Sequence, residues 1–282
     1  MQQNTNLKIQ PIVEKKFSSL DIRYEEKHEL AWYYMNAKPR PCFTVDLLNN
    51  IQSFFKNIIM NKYGKLNYIV MGSSIPNSFN LGGDLELFYS LIKAKDRQQL
   101  FDYAIACIKP LYQIHTGLNK SITTISLVQG DALGGGFEVA VSSDVLIVER
   151  SAKLGMPEIL FNLFPGMGAY SFLSRKIGVK HAEKMILGGK LYSAEEVYNM
   201  GLADTLVEDG EGEQAVYDYI KRENRARNGF QAFRKAKRCC DPVTYEELEA
   251  ITTIWVDAAL QLRDKDLRMM ERLVKRQSAK VG

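Results

Sequence analysis

The stretch Ile122-Thr123-Thr124-Ile125-Ser126-Leu127-Val128 runs through Gly130 into Gly134-Gly135-Gly136 and then into the apolar residues Phe137, Val139 and Ala140, and this succession narrows the possible folds most. The β-branched run reads as a strand, the glycines as a turn, and the apolar residues after them as a helix. Val145-Leu146-Ile147-Val148 is strand-like again. Strand, helix and strand in that order argue for an α/β fold with parallel strands and crossover helices.

The remainder of the chain supports that class. Residues 19–35, rich in Ile, Tyr, Trp and Leu around a polar break, read as two antiparallel strands leading to the turn Lys38-Pro39-Arg40-Pro41. From Val45, apolar residues from Leu47 to Ile59 recur at helical spacing, and Tyr68-Ile69-Val70-Met71 is a short buried strand. Asp84, directly after Gly82-Gly83, is placed to cap a helix carrying Leu85, Phe88, Tyr89 and Ile92, and another helix is expected from Leu100 to His115. Beyond Pro165 the chain turns helical, with a capping box at Ser193-Ala194-Glu195-Glu196, stops at Gly188-Gly189 and Gly201, and a short strand at Ala203 to Val207 returning to the sheet. Leu248, Ile251, Trp255, Ala258, Ala259 and Leu262 keep helical spacing, and Leu267, Met270, Leu273 and Val274 continue it past a charged break from Arg263 to Asp266. The softest boundary lies near Gly210, which divides an α/β core over 1–210 from a helical C-terminal region over 211–282.

Composition excludes several classes. Hydrophobic residues make up 46% and charged residues 25% of the 282, which suits a soluble protein with a sizeable core. The net charge of +4 is too mild to demand nucleic acid, though it suits an acidic partner or a phosphate group. No secretory leader and no run of about 18 uncharged apolar residues is visible, so a cytoplasmic location away from the membrane is expected. Cys42, Cys107, Cys239 and Cys240 form no CxxC pair and keep no His-rich company, so neither a metal nor a disulfide framework is indicated. His28, His115 and His181 stand near no GxSxG elbow, which disfavours a Ser-His-Asp hydrolase.

Two glycine-rich turns carry the chemistry: Asn80-Leu81-Gly82-Gly83-Asp84 and Asp131-Ala132-Leu133-Gly134-Gly135-Gly136-Phe137-Glu138. Glycine lets a ligand atom reach the main chain, and amides at a following helix N-terminus point outward with partial positive charge. Two such turns face to face can bind one oxygen as an oxyanion hole; either turn alone is explained as well by tight packing. Neither fits a nucleotide loop. Glu138 falls in the first turn of a helix among apolar neighbours, where complementing the helix dipole, worth about 0.3–1 kcal/mol, explains it as well as catalysis does. Glu158, in Leu154-Gly155-Met156-Pro157-Glu158-Ile159-Leu160, also has apolar flanks. Burial raises a carboxyl pKa and a second carboxyl separates the two values, so one can serve as acid and the other as base.

Taken together, Gly-Gly-Asp, then Ala-Leu-Gly-Gly-Gly-x-Glu, then Gly-x-Pro-Glu, then Phe164-Pro165-Gly166-Met167-Gly168, resemble the crotonase (enoyl-CoA hydratase/isomerase) superfamily over roughly Ile22 to Val207. The resemblance implies a spiral of ββα units with a helical C-terminal region, assembled as a homotrimer or dimer of trimers, with no cofactor. It implies that the amides of Gly83 and Gly135 form the oxyanion hole and that Glu138 and Glu158 are the acid/base pair. Leu133, Met167, Trp255 and Leu273 are candidate walls for an acyl chain, although core packing accounts for each equally well.

A narrower resemblance lies in Leu160 to Phe172, Leu191-Tyr192-Ser193-Ala194-Glu195 and Ile254-Trp255-Val256-Asp257, which look like the diffusible signal factor synthases of bacterial quorum sensing. That family dehydrates a 3-hydroxyacyl chain on acyl carrier protein to the cis-2-enoyl form and then hydrolyses the thioester, releasing a free unsaturated fatty acid. A sensor kinase regulated by the protein is implied in the same way. Hydratases that use CoA commonly place Lys or Arg seven residues before the aspartate of the first motif, and this chain has Asn77 there. The basic run Arg234-Lys235-Ala236-Lys237-Arg238 is a candidate surface for the acidic carrier, or simply a solvated face. Two alternatives stay open: an enoyl-CoA hydratase or isomerase acting on a CoA thioester, and a non-catalytic binding or regulatory protein of the same fold.

Overall fold

Four β-branched or aromatic runs, Leu30–Met35, Tyr68–Ser73, Thr123–Val128 and Val145–Glu149, lie side by side at the centre of the molecule. The computed structural model describes residues 17–279. In chain order these comprise β1 (Leu20–Glu25), β2 (Leu30–Met35), α1 (Val45–Ile59), β3 (Tyr68–Ser73), β4 (Ser78–Asn80), α2 (Leu85–Ala94), α3 (Arg97–His115), β5 (Thr123–Val128), β6 (Asp131–Leu133) and α4 (Gly135–Ser142). There follow β7 (Val145–Glu149), β8 (Lys153–Gly155), a 3-10 segment over Pro157–Phe161, α5 (Ala169–Ile177), α6 (Val179–Gly188), β9 (Leu191–Ser193), α7 (Ala194–Asn199) and β10 (Thr205–Val207). Four helices end the described chain: α8 (Gly212–Asn224), α9 (Arg227–Cys240), α10 (Tyr245–Ala259) and α11 (Asp264–Ala279).

The strands form a six-stranded sheet in the order β1-β2-β3-β5-β7-β10 and a four-stranded sheet in the order β4-β6-β8-β9. Only β1–β2 and β8–β9 pair antiparallel. Each of β3, β5 and β7 passes into a short strand of the second sheet and then into helical structure, which is the expected spiral of ββα units. Sequence pattern does not distinguish the four short strands, because three residues are too few to display a two-residue alternation.

Helices α2 and α7 start where their caps place them, and α1 is capped as well. Thr44 accepts from Leu47 N ahead of α1, Asp84 accepts from the Glu86 and Leu87 amides ahead of α2, and Ser193 with Glu196 forms a reciprocal capping box on α7. One boundary differs. The chain breaks at Leu260–Arg263, and the acidic residues expected to break it form the first turn of α11, where Asp266 accepts from Arg263 N at 3.0 Å. Carboxylates at a helix N-terminus stabilise rather than interrupt it.

The helical region after Gly210 is joined to the core on two sides. Val216, Tyr219 and Ile220 of α8 pack with Trp32, Val70, Ile125 and Ile147 of the large sheet. Trp255, Val256 and Ala259 of α10, with Leu267 and Met270 of α11, pack against Leu85, Leu91, Leu100 and Ala104 of α2 and α3. The basic run on α9 serves the interior. Arg234 pairs with the fully buried Glu223 at 2.6 Å, and Arg238 pairs with Asp144 at 2.8 Å, so these two cations are neutralised within the chain. Of the charged residues in the run, only the lysines stay exposed.

Candidate active site

The second sheet brings the chemistry together. Strands β4, β6 and β8 are parallel neighbours, with Asn80 opposite Ala132, Ala132 opposite Leu154 and Leu133 opposite Gly155. Their carboxyl ends therefore deliver Gly82-Gly83, Gly134-Gly135 and Pro157-Glu158 to one place, the usual location of ligands in parallel sheets.

Backbone geometry aims two amides into that place. The Gly82 carbonyl accepts from Phe43 N at 2.8 Å, and because the peptide is trans, the Gly83 N–H at its other end points the opposite way. Likewise the Gly134 carbonyl accepts from Glu138 N at 2.9 Å, which leaves the Gly135 N–H at the head of α4. Among the described residues neither amide has a hydrogen-bond partner. They lie close together, since a Cβ built on Gly82 comes 3.0 Å from Gly135 N and one built on Gly135 comes 3.6 Å from Gly83 N. Gly134 has φ +52°, and a side chain there would strike the Glu158 carboxylate, so glycine is required on two counts.

Glu138 is 1% exposed, and its Oε1 accepts from Met167 N at 2.8 Å and Ala169 N at 2.9 Å. Met167 N belongs to the Phe164–Gly168 turn and Ala169 N to the first residue of α5 that follows it, a purpose the sequence there does not disclose. Burial first, and the neighbouring Glu158 second, push the Glu138 pKa up to about 8 against the two amide bonds. Glu158 is half-buried as a residue, but its Oε2 is shielded from water and, among the described residues, has no partner. Burial pushes its pKa up to about 7. The two carboxyls line one cavity, so ionising either one raises the cost of ionising the other.

Both carboxyls and both glycines line one cavity of about 280 Å³, near the lower end of small-molecule sites. Leu133, Met167, Trp255 and Leu273 line it too, so the structure brings all eight candidate residues together. Phe88, Ala104 and Cys107 also face it. Sequence spacing marks Phe88 as an inward residue of a helix, without a sign that this face borders a cavity. None of the three histidines is in the lining. Among the described residues, no group of His, Cys, Asp and Glu could hold a metal ion, and no helix is long and apolar enough to cross a membrane.

Residues 35–239 match the family described as enoyl-CoA hydratase/isomerase, and the chain belongs to that family. It is 34% identical over 116 residues to a fatty acid oxidation complex subunit alpha of Pseudomonas syringae, a match covering 41% of this chain and 16% of that protein. It is 27% identical over 207 residues to the probable enoyl-CoA hydratase 2, mitochondrial, of Arabidopsis thaliana, covering 70% of this chain and 62% of that one. The chain thus spans less than two thirds of either relative. Among solved structures, enoyl-CoA hydratase from Bacillus halodurans superposes with a TM-score of 0.77 at 20% identity, over 90% of this chain and all 100% of that one. DspI of Pseudomonas aeruginosa superposes with a TM-score of 0.65 at 22% identity, over 96% of this chain and 100% of that one. Family and crotonase fold follow from these likenesses; they do not single out the signal-factor synthases.

Proposed function

We propose that the protein acts on an acyl thioester as a crotonase-type hydratase or dehydratase, and that its substrate is a 3-hydroxyacyl chain on acyl carrier protein, released as a cis-2-unsaturated free acid for cell–cell signalling. The observation that carries the chemistry is the juxtaposition of two unpartnered amides with two carboxyls of raised pKa in one apolar cavity.

The thioester carbonyl oxygen sits between the Gly83 and Gly135 amides, whose hold strengthens as negative charge grows on it. Glu158, ionised above about 7, takes the α-proton, and the electron pair moves onto that oxygen. The charge then returns, the C2–C3 double bond forms, and the 3-hydroxyl leaves as water with the proton held by Glu138, whose pKa of about 8 keeps it protonated at neutrality. The proton gained by Glu158 replaces the one lost by Glu138 before the next cycle. In the hydrolytic step a glutamate takes a proton from water as its oxygen bonds to the thioester carbon, the same amides hold the tetrahedral oxyanion, and its collapse breaks the C–S bond, the proton passing to the departing carrier thiolate.

Two features favour the carrier-linked form. Asn77 is exposed with φ +56°, and offers no cation where CoA-linked hydratases commonly have one. The narrower resemblance also includes Ile254-Trp255-Val256-Asp257 of α10, and α10 and α11 close the cavity with Trp255 and Leu273. The test is to supply matched 3-hydroxyacyl carrier protein and 3-hydroxyacyl-CoA and to identify products by mass spectrometry. Free cis-2-enoic acid from the carrier substrate is expected. Reversible hydration of the CoA thioester alone would assign the protein to CoA chemistry, and inertness toward both would remove the catalytic reading.

A further inference from the structure

Tyr103 of α3 is 6% exposed and does not line the cavity, yet its hydroxyl is built into the backbone that presents Gly83. Three consecutive peptides are tied down there. The Gly82 N–H donates to the Asn80 Oδ1 at 2.8 Å, the Gly82 carbonyl accepts from Phe43 N at 2.8 Å, and the Asp84 N–H donates to the Tyr103 hydroxyl at 3.0 Å. That hydroxyl in turn donates to the Phe43 carbonyl. Phe43 and Gly83 form an isolated parallel bridge, so the tyrosine closes a loop of hydrogen bonds across both chains of it. These tethers take up the peptide groups on either side of the Gly83 N–H, which has no partner among the described residues, and Gly83 lines the cavity.

The ring is braced as well. Tyr103 meets Phe88 edge-on, with centroids 5.3 Å apart and planes at 85°. Phe88 lies flush against Gly83, where a Cβ would come 2.6 Å from its Cε2. Arg40 holds Asp84 from the other side at 3.0 Å.

We infer that Tyr103 is a positioning residue: its hydroxyl, bridging Asp84 N–H and the Phe43 carbonyl, fixes the direction in which the Gly83 amide meets the thioester oxygen. This rests on the oxyanion site proposed above. Tyr103→Phe keeps the ring and its contact with Phe88 but removes the hydroxyl that links the Asp84 N–H to the Phe43 carbonyl, leaving the Phe43–Gly83 bridge alone to hold that crossing and freeing the Gly83 peptide to rock. Displacing a donor by a fraction of an ångström weakens its hold on a developing charge more than its hold on the neutral ground-state carbonyl, so the effect belongs to kcat.

The experiment compares wild type, Tyr103→Phe and Gly135→Ala, by turnover and by infrared difference spectroscopy of a bound saturated acyl thioester labelled with ¹³C at the carbonyl. In wild type the carbonyl stretch should fall below its solution value. Tyr103→Phe should return it part of the way, with kcat down by roughly 10-fold to 100-fold and KM changed by less than about 2-fold. A wild-type stretch and kcat in Tyr103→Phe would overturn the inference, as would a lower melting temperature with kcat intact. A stretch that Gly135→Ala moves and Tyr103→Phe does not would overturn it while preserving the oxyanion site. Absence of any wild-type downshift would sink the site and the inference together.

Discussion

A carboxyl held neutral by burial makes the protein less stable as pH rises, and Glu138 is the clearest case. Unfolded, it titrates near its ordinary 4.5; folded, it is pushed up to about 8. Between those values the native state binds a proton that the unfolded state has released, so stability declines with pH, and above about 8 the loss is complete. At about 1.4 kcal/mol per pH unit, the interval from 4.5 to 8 amounts to roughly 5 kcal/mol at most, comparable to the whole stability of a marginal domain. Glu138→Gln keeps the oxygen that accepts from Met167 N and Ala169 N but carries no titrating proton. Urea unfolding followed by circular dichroism at pH 5, 7 and 8.5 should show the variant gaining on the wild type at each step, by several kcal/mol at the alkaline end. Glu158 is present in both proteins, so only its coupling to Glu138 enters the difference. A gap that stays constant with pH would refute the assignment of a buried, neutral Glu138.

The same two carboxyls predict a bell-shaped pH profile of kcat/KM, rising through about 7 as Glu158 ionises and falling through about 8 as Glu138 loses its proton; a profile flat from pH 6 to 9 would contradict their roles. Gly135→Ala places a methyl 2.7 Å from Met167 Sδ and should cost roughly 10²-fold in kcat, measured by steady-state turnover. Trp255→Ala removes a cavity wall that packs on Phe88 at 4.8 Å, so about 3–5 kcal/mol of stability should be lost, and KM should rise more for long acyl chains than for short ones. Arg234→Ala removes the shorter of two ion pairs on the buried Glu223 and leaves Arg227 at 3.3 Å, so denaturant unfolding should show a loss below the roughly 3–5 kcal/mol of a fully unpaired buried charge, while kcat of the folded fraction is unchanged.

Local chemistry was legible where it repeats. The central strands announced themselves by β-branched runs, α1 by its spacing, and the starts of α2 and α7 by Asp84 and Ser193. Glu138 and Glu158 stood out because their neighbours are apolar. Residue pattern alone could not bring them together, since the strands that do so, β4, β6 and β8, have three residues each and pair across long stretches of chain. That proximity came from the family resemblance. The two arginines of α9 misled for a related reason: a run of charge looks solvated until the packing reveals Glu223 and Asp144 beneath it.

The closing of the cavity by α10 and α11 has a consequence for a chain still being made. When α9 has emerged from the ribosome, both glutamates and both glycine turns already exist, but Trp255 and Leu273 do not, and the trough between α2 and α3 stands open to solvent. The cavity lining is therefore complete only once α10 and α11 have packed against α2 and α3.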